Sequence, residues 1–337
     1  MTYTGAPNSL LNLAVLLRSK GHTISVFTQQ SGEFIKEFHK HLIRVKYCDP
    51  DSFNYDILND YDLAIANTIF CGKFALKAQK YIPTILYIRE AENLPEIIHS
   101  CGLKDDYLNK IKIALCVSEY AERYISSTYN ISNLAVIHNF LSPPVLHMPP
   151  TNICKDGVVH FLVAGTIEKR KGIDIAIHAI DLLSDGIKDN FMLHIVGRKP
   201  EWAHEYWANL KMDNNDKICY HGEIKSRQGM YSLYKRINCV IVPSLDESCS
   251  LTALEGAMFG RALILSENVG AKYLINESGL VFQTASAESL ASAMTQLIKN
   301  SKLLPEMGRS SYKMYKKTST PAVYYKKISS LLCDILK

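Results

Sequence analysis

Two short segments bring together residue types that could do chemistry. The first runs Gly165-Thr166-Ile167-Glu168-Lys169-Arg170-Lys171-Gly172, between a short apolar run and an apolar helical pattern. Three consecutive cations at a helix start oppose the helix dipole. They become favourable if an anion sits there, held by side-chain charge and free backbone N–H groups together. Otherwise the segment is a surface loop of solvated charge. The second segment runs Pro243-Ser244-Leu245-Asp246-Glu247-Ser248-Cys249-Ser250 and enters Leu251-Thr252-Ala253-Leu254-Glu255. Ser250 or Ser248 can cap a helix there. The N–H groups of Ser250, Leu251 and Thr252 would then form a second anion cradle. Glu247 and Glu255 stand eight residues apart, on the same side as position 251, so both acids can face one ligand. Carboxylates repel phosphate, so the natural partners of these two are sugar hydroxyls. The spacing alone means little; its place directly after a strand gives it weight.

The elements that must position these segments are legible as short β-branched runs alternating with amphipathic ones. Strands are expected at 23–29, 42–48, 63–68, 84–90, 113–118 and 134–140 in the first half. In the second half they fall at 160–165, 191–197, 218–222, 239–244, 261–267 and 279–282. Helical patterns lie between them, among others at 7–19, 172–184, 226–237, 250–259, 285–299 and 320–335. Such alternation means parallel sheets covered on both faces. Four of the twelve prolines fall in 141–152, Leu-Ser-Pro-Pro-Val-Leu-His-Met-Pro-Pro-Thr-Asn, a stretch unsuited to a sheet. The expected organisation is an N-terminal domain over 1–143, a linker over 144–152, a second domain over 153–315, and a C-terminal helix in 316–337 packing back on the first. Ligands of two doubly wound domains bind in a cleft at the carboxyl ends of the strands. The chain opens Met1-Thr2-Tyr3-Thr4-Gly5-Ala6-Pro7 and goes straight into a helix. The strand that normally feeds such a turn is expected to be either absent or lost through truncation or an alternative start, which would leave the first sheet incomplete.

The composition excludes several classes. With 337 residues, 47% hydrophobic and 21% charged, the chain is neither a disordered segment nor a disulfide mini-scaffold. No apolar run reaches the roughly 20 residues of a membrane span. Nine scattered cysteines without a Cys-x-x-Cys pair read as reduced core thiols of a cytoplasmic protein. His22, His39, His41, His99, His147, His160, His178, His194 and His204 show no metal-ligand spacing in sequence. The net charge of +5 sits in the tail: residues 299–337 carry nine Lys/Arg against Glu306 and Asp334. There Tyr312, Tyr315, Tyr324 and Tyr325 interleave with lysines. The plain reading is a solvated helical face; the sharper one is contact with an anionic membrane surface. No nucleic-acid module accompanies the charge, so nucleic acid is not an expected partner.

These residues carry a resemblance. The second half is similar to the donor domain of family-4 retaining glycosyltransferases, enzymes of the GT-B fold. The similarity rests on the loop Gly165 to Gly172 and on Glu247-x7-Glu255. It extends through Gly256-Ala257-Met258, Gly260, Asn268-Val269-Gly270-Ala271 and Gly279-Leu280-Val281-Phe282. In the first half, Thr4-Gly5-Ala6-Pro7, Ser118-Glu119 and His138-Asn139 resemble landmarks of the same family. The resemblance implies two Rossmann-like domains facing across a cleft, with a nucleotide-sugar donor as substrate and no cofactor or metal. It places Lys171 on the donor diphosphate, Glu247 on the sugar hydroxyls and Glu255 on the ribose. The helix-start amides of Ser250, Leu251 and Thr252 lie around the phosphate, and Gly5 and Ala6 allow a close approach to it. Arg170 adds charge, and Arg198 follows a strand toward the nucleotide. In the chemistry implied, cations and N–H dipoles stabilise the leaving diphosphate while the sugar becomes oxocarbenium-like.

Two positions depart from the pattern. Thr166 stands where many members carry arginine, and Arg89 stands where many carry histidine. Arg89 is read either as a donor or acceptor contact or as half of an ion pair with Glu90 or Glu92. Trp202 and Trp207 are read as packing residues. His138 is read as a hinge residue or a ligand, and His221 as lining the base pocket through its backbone. The expected activity is hexosyl-type transfer with retention to a saccharide or lipid-linked acceptor, in polysaccharide or glycan assembly. The alternatives are a non-catalytic partner of another glycosyltransferase subunit and, less favoured, a sugar-nucleotide epimerase.

Overall fold

A computed structural model describes residues 5–144, 149, 151–154, 157–210, 212, 215–276 and 279–337. The chain divides into two units, Met1–Ser142 with Ser319–Lys337 and Pro143–Thr318. The part of the expected linker at 145–148 and 150, and Thr4 of the opening loop, lie outside the described residues.

The first unit begins with helix α1 (Gly5–Ser19), which buries Leu11, Leu13, Ala14, Leu16 and Leu17. There follow β1 (Ser25–Thr28), α2 (Ile35–Lys40), β2 (Arg44–Tyr47), β3 (Ala64–Asn67), α3 (Gly72–Ala78), β4 (Thr84–Ile88), α4 (Leu94–Ser100), β5 (Ala114–Cys116), α5 (Glu119–Thr128) and β6 (Leu134–Val136). Every residue of β4 is buried, as befits a strand covered on both faces. All strand pairs are parallel, but among the described residues they form two separate sheets, β1-β2 and β3-β4-β5-β6. β1 and β3 therefore each have one ladder partner. The strand expected to precede α1 would fall before the first described residue.

The second unit comprises β7 (Val159–Ala164), α6 (Ile173–Asp181), β8 (Phe191–Val196), α7 (His204–Asn209), β9 (Ile218–Tyr220), α8 (Arg227–Tyr234), β10 (Cys239–Val242), α9 (Leu251–Met258), β11 (Ala262–Ser266), β12 (Leu280–Phe282), α10 (Ala287–Lys299) and α11 (Leu304–Thr318). Its strands form one six-stranded parallel sheet in the order β12-β11-β10-β7-β8-β9. The order turns between β7 and β10, so the loops after these two strands flank the switch point where doubly wound sheets bind ligands. An apolar core lies on one face, where Phe161, Val163, Leu193, Ile195 and Ile241 meet Ile173, Ile177, Leu290, Met294 and Leu297. The spacing 290, 294, 297 is the buried stripe of an amphipathic helix, and Ser286 caps it by accepting from the Ser289 N–H at 3.1 Å.

Helix α12 (Pro321–Ile335) starts from the cap Thr320 and belongs to the first unit. Tyr324 packs on Phe140, with ring centroids 4.5 Å apart, and Lys20 lies over the Tyr325 ring at 5.2 Å. The tail's aromatic and basic residues are thus sorted by helical period. Tyr315 and Tyr324 are buried, while Lys313, Lys316, Lys317, Lys326 and Lys327 are exposed.

Candidate active site

In the second unit the site is built where β7 and β10 end. After β7 the chain makes a one-turn 3-10 segment, Lys169–Lys171, and enters α6 through Gly172, whose φ is 64°. A Cβ at 172 would stand 2.0 Å from the Pro243 carbonyl oxygen. Glycine lets the basic turn approach the end of β10 this closely, and it adopts the left-handed backbone without penalty. Two hydrogen bonds seal the approach. The Leu245 N–H donates to the Arg170 carbonyl at 2.8 Å, and the Arg170 guanidinium donates to the Asp246 carbonyl at 2.8 Å.

A third loop fixes Glu247. Its N–H donates to the Asn268 carbonyl at 3.0 Å, and its carbonyl accepts from the Gly270 N–H at 2.8 Å. This gives the Asn268-Val269-Gly270 motif its local purpose. The Glu247 carboxylate pairs with Lys171 Nζ, lies 3.6 Å from Arg170 and accepts from Ser244 Oγ at 3.3 Å. Arg170 also pairs with Glu168 at 2.8 Å. Gly165, Lys171, Ser244, Glu247 and Ser250 line one small hollow.

Ser250 caps α9, accepting from the Ala253 N–H at 3.2 Å. The amides of Leu251 and Thr252, in the first turn, have no intrahelical acceptor. Thr252 Oγ1 donates to the Ala164 carbonyl at 3.1 Å, which closes the helix start onto the end of β7. Lys171, Glu247 and Ser250 therefore line one hollow, with Arg170 beside Glu247 and Thr252 bonded to the end of β7.

Glu255 has a different partner. Its carboxylate accepts from Tyr234 Oη at 2.8 Å. Burial raises its pKa, opposed by that hydrogen bond and by Arg227. Arg198 extends an exposed side chain just beyond β8, while its carbonyl accepts from the Ile167 N–H at 2.9 Å. Trp207 packs on Tyr220, ring centroids 4.6 Å apart. Trp202 does not fit the packing expectation, being 69% exposed.

The first unit gathers a polar cluster at the carboxyl ends of its strands. Arg89, just after β4, donates from Nε to Asn67 Oδ1 at 2.6 Å and from a terminal nitrogen to Asn139 Oδ1 at 2.8 Å. Its guanidinium lies 4.1 Å from the Tyr87 ring centroid. Asn67 Nδ2 in turn donates to the Ala6 carbonyl at 3.3 Å. Gly5 and Ala6 form the first turn of α1 rather than a loop before it. Glu90 is buried and accepts from the N–H groups of Arg89 at 2.8 Å and Ile69 at 3.4 Å. Burial outweighs these bonds and pushes its pKa up to about 7. His138 Nε2 meets Glu119 at 2.9 Å, a contact that lowers the Glu119 pKa, and Ser118 caps α5.

Sequence reasoning missed Asn67, Ser244 and Tyr234. The first two stand at or just beyond strand ends, the place where such residues are first looked for. Tyr234, inside α8, gave no signal. It also missed a histidine cluster. His160 Nδ1 lies 2.9 Å from His194 Nε2, and His194 Nδ1 lies 2.9 Å from His221 Nε2. Burial, then the neighbouring histidines and Arg236, lower the His194 pKa to about 4. Spacing along the chain could not show this, because the three rings come from three neighbouring strands.

Comparison with known proteins agrees with this architecture. Residues 153–314 match the model of glycosyl transferases group 1, and residues 1–88 match that of glycosyl-transferase family 4. A glycogen synthase of Marinomonas sp. (strain MWYL1) is 25% identical over 148 residues, which are 41% of this chain and 29% of that protein. Less than a third of that relative's length is thus matched. A crystal structure of a glycosyltransferase from Rickettsia africae superposes with a TM-score of 0.79 at 19% identity, covering 100% of this chain and 96% of the other. Anabaena HepE, solved with UDP and glucose, superposes with a TM-score of 0.83 at 15% identity over 99% and 97% of the two chains. The fold is that of the GT-B glycosyltransferases.

Proposed function

For a chain whose second unit belongs to the group 1 glycosyl transferases, we propose transfer of a hexose from a nucleoside-diphosphate sugar to a saccharide or lipid-linked saccharide, with retention at the anomeric carbon. The observation that carries this reading is the convergence of Lys171, Glu247 and the capped start of α9 on one hollow. Two cations and unpaired helix N–H groups are what a leaving diphosphate requires, since they stabilise charge that grows in the transition state. With Lys171 and Arg170 supplying that charge, the reading needs no metal.

Lys171 and Glu247 are paired and neutralise each other. Donor binding would draw Lys171 to the diphosphate and free the Glu247 carboxylate for sugar hydroxyls. Ser244 and the loop at 268–270 hold Glu247 in place while its partner changes. Glu255, backed by Tyr234, is assigned to the ribose, and Arg198, Gly5 and Ala6 remain donor-contact candidates. Arg89, held by Asn67 and Asn139, is assigned to the donor or acceptor as a fixed cation. Among the described residues no helix is long and apolar enough to cross a membrane. The exposed lysines of α11 and α12 are assigned to an anionic bilayer surface, to be tested by co-sedimentation with phosphatidylserine vesicles.

The deciding experiment is a thermal-shift panel of UDP, GDP, ADP, CMP and TDP. A bound nucleotide at 100 times its Kd adds about 2.7 kcal/mol. One base should stabilise the protein, Lys171→Ala should abolish the shift, and Glu247→Gln should keep the shift while lowering turnover by 100-fold or more. Turnover in excess EDTA and the anomeric configuration of the product, read by NMR, test metal independence and retention. If no nucleotide shifts the folded protein, the transferase reading fails and a non-catalytic subunit replaces it.

A further inference from the structure

The second unit carries a cluster of metal-binding side chains that the proposed transfer reaction does not use. His194 lies on β8 directly opposite Cys219 on β9 in the parallel ladder. His221 follows two residues on, so the strand's alternation returns it to the face that carries Cys219. One ligand atom from each of His194, Cys219 and His221 falls within 4.8 Å of the other two. All three residues are half-buried, which shields a bound ion yet leaves a path to it. We propose that these three side chains form a binding site for a divalent transition metal of the zinc type. A thiolate and two imidazoles are the ligand set that such borderline-soft ions favour.

His160 supplies the outer support. His194 has both ring nitrogens engaged, Nδ1 toward His221 Nε2 and Nε2 toward His160 Nδ1. When His194 Nε2–H donates to His160, the Nδ1 lone pair is free for the metal, and the ring is fixed in that orientation. A metal-binding histidine commonly has such a second partner. The strand position of His160 is itself held, since its main-chain N–H donates to Asn238 Oδ1 at 2.9 Å. In a tetrahedral site with metal–nitrogen bonds of about 2.0–2.1 Å, two ligand nitrogens stand about 3.3 Å apart. The 2.9 Å between His194 Nδ1 and His221 Nε2 therefore opens by a few tenths of an ångström as the metal replaces the N–H···N bond. The Cys219 thiol loses its proton on binding, and its negative charge offsets the nearby Arg236 cation that acts on His194 and His221. Three protein ligands leave a fourth position for water. The metal would tie β9, an edge strand with one ladder partner, to β8.

The test is a Co2+ titration of the EDTA-treated full-length protein. One equivalent should bring up a near-ultraviolet thiolate-to-cobalt band that one equivalent of Zn2+ removes. Cys219→Ser should lose the band, and His194→Gln or His221→Gln should weaken binding at least 10-fold. His160→Gln should weaken it 10- to 100-fold, the range of outer-support losses. Should a variant misfold, X-ray absorption of the zinc-loaded wild type decides: one sulfur at about 2.3 Å and two or more nitrogen or oxygen neighbours at about 2.0–2.1 Å are expected. Absence of the thiolate band, its persistence in folded Cys219→Ser, or a sulfur-free zinc spectrum overturns the site and leaves a metal-free imidazole chain.

Discussion

The two units share one building plan and carry it through differently. Among the described residues, the second closes six strands into a single ladder with a large core cluster on one face. The first splits the same alternation into a pair and a foursome of strands, with separate small cores around Phe38, around Leu86 and around Tyr55. A strand paired on both edges opens only with its neighbours, whereas a two-stranded sheet can open alone. Amide exchange should therefore be slowest in β10 and β11 and much faster in β1 and β2. The region that holds the candidate diphosphate cradle is then expected to be the more rigid one, which suits a site that must aim charges before the reaction begins.

The largest expected effect comes from one glycine in each unit. Gly172 and Gly102 have nearly the same backbone, φ 64° and 63°. A Cβ at 172 meets the Pro243 carbonyl oxygen at 2.0 Å, while a Cβ at 102 meets nothing within 4 Å. Gly172→Ala must both strain the turn and push the basic loop off β10, costing about 3 kcal/mol or more. Gly102→Ala should cost only the backbone penalty, about 1 kcal/mol. Chemical denaturation of both variants measures the difference, and nucleotide-induced thermal shift should vanish only in Gly172→Ala. Equal costs would mean that the approach of the two loops contributes nothing.

The same contrast separates what could be read in the sequence from what could not. Strands were visible because buried parallel strands are continuous apolar runs; Phe191–Val196 and Ala262–Ser266 fall inside the expected 191–197 and 261–267. A helix end set by a side-chain cap was visible too, at Ser250. The cations and acids around the hollow were legible because each lies directly after a strand. The pairing of Glu255 with Tyr234 was not, because it joins two helices with no shared sequence signal. The histidine cluster needed strand register, which spacing along one chain does not encode. The split of the first sheet likewise depends on which strands become neighbours.

The next effect turns on pH in the first unit. Glu90 has a pKa of about 7 in the folded chain, against an ordinary 4.5, because burial disfavours its charged form. Between these values the folded state holds a proton that the unfolded state has lost, so stability falls as pH rises from 4.5 through 7. The loss is at most about 3 kcal/mol. Glu90→Gln keeps a carbonyl oxygen for the Arg89 and Ile69 amides and removes the ionisation. It should stabilise the first unit at pH 8 and change little at pH 4.5. Exchange of the peptides spanning 84–100, followed at both pH values, reads this directly. A variant as pH-dependent as the parent would show that Glu90 is not the group responsible.

The smallest effect has the opposite sign and lies in the second unit. Burial first, then His160, His221 and Arg236, lowers the His194 pKa from 6.5 to about 4. Between these values the unfolded chain binds the extra proton, so stability is full above 6.5 and is lost as pH falls toward 4. The ring is only half-buried, so solvent screening limits the loss to about 1–2 kcal/mol. Both tryptophans, Trp202 and Trp207, lie in this unit, so fluorescence melting reports it without a contribution from the first. In EDTA-treated protein the midpoint should drop between pH 6.5 and 4.5, and His194→Gln should reduce the drop. Over the same interval the Glu90 contribution makes the first unit more stable. Acidification should therefore bring the two units closer in stability, and an unchanged gap between fluorescence melting and exchange at 84–100 would count against both assignments.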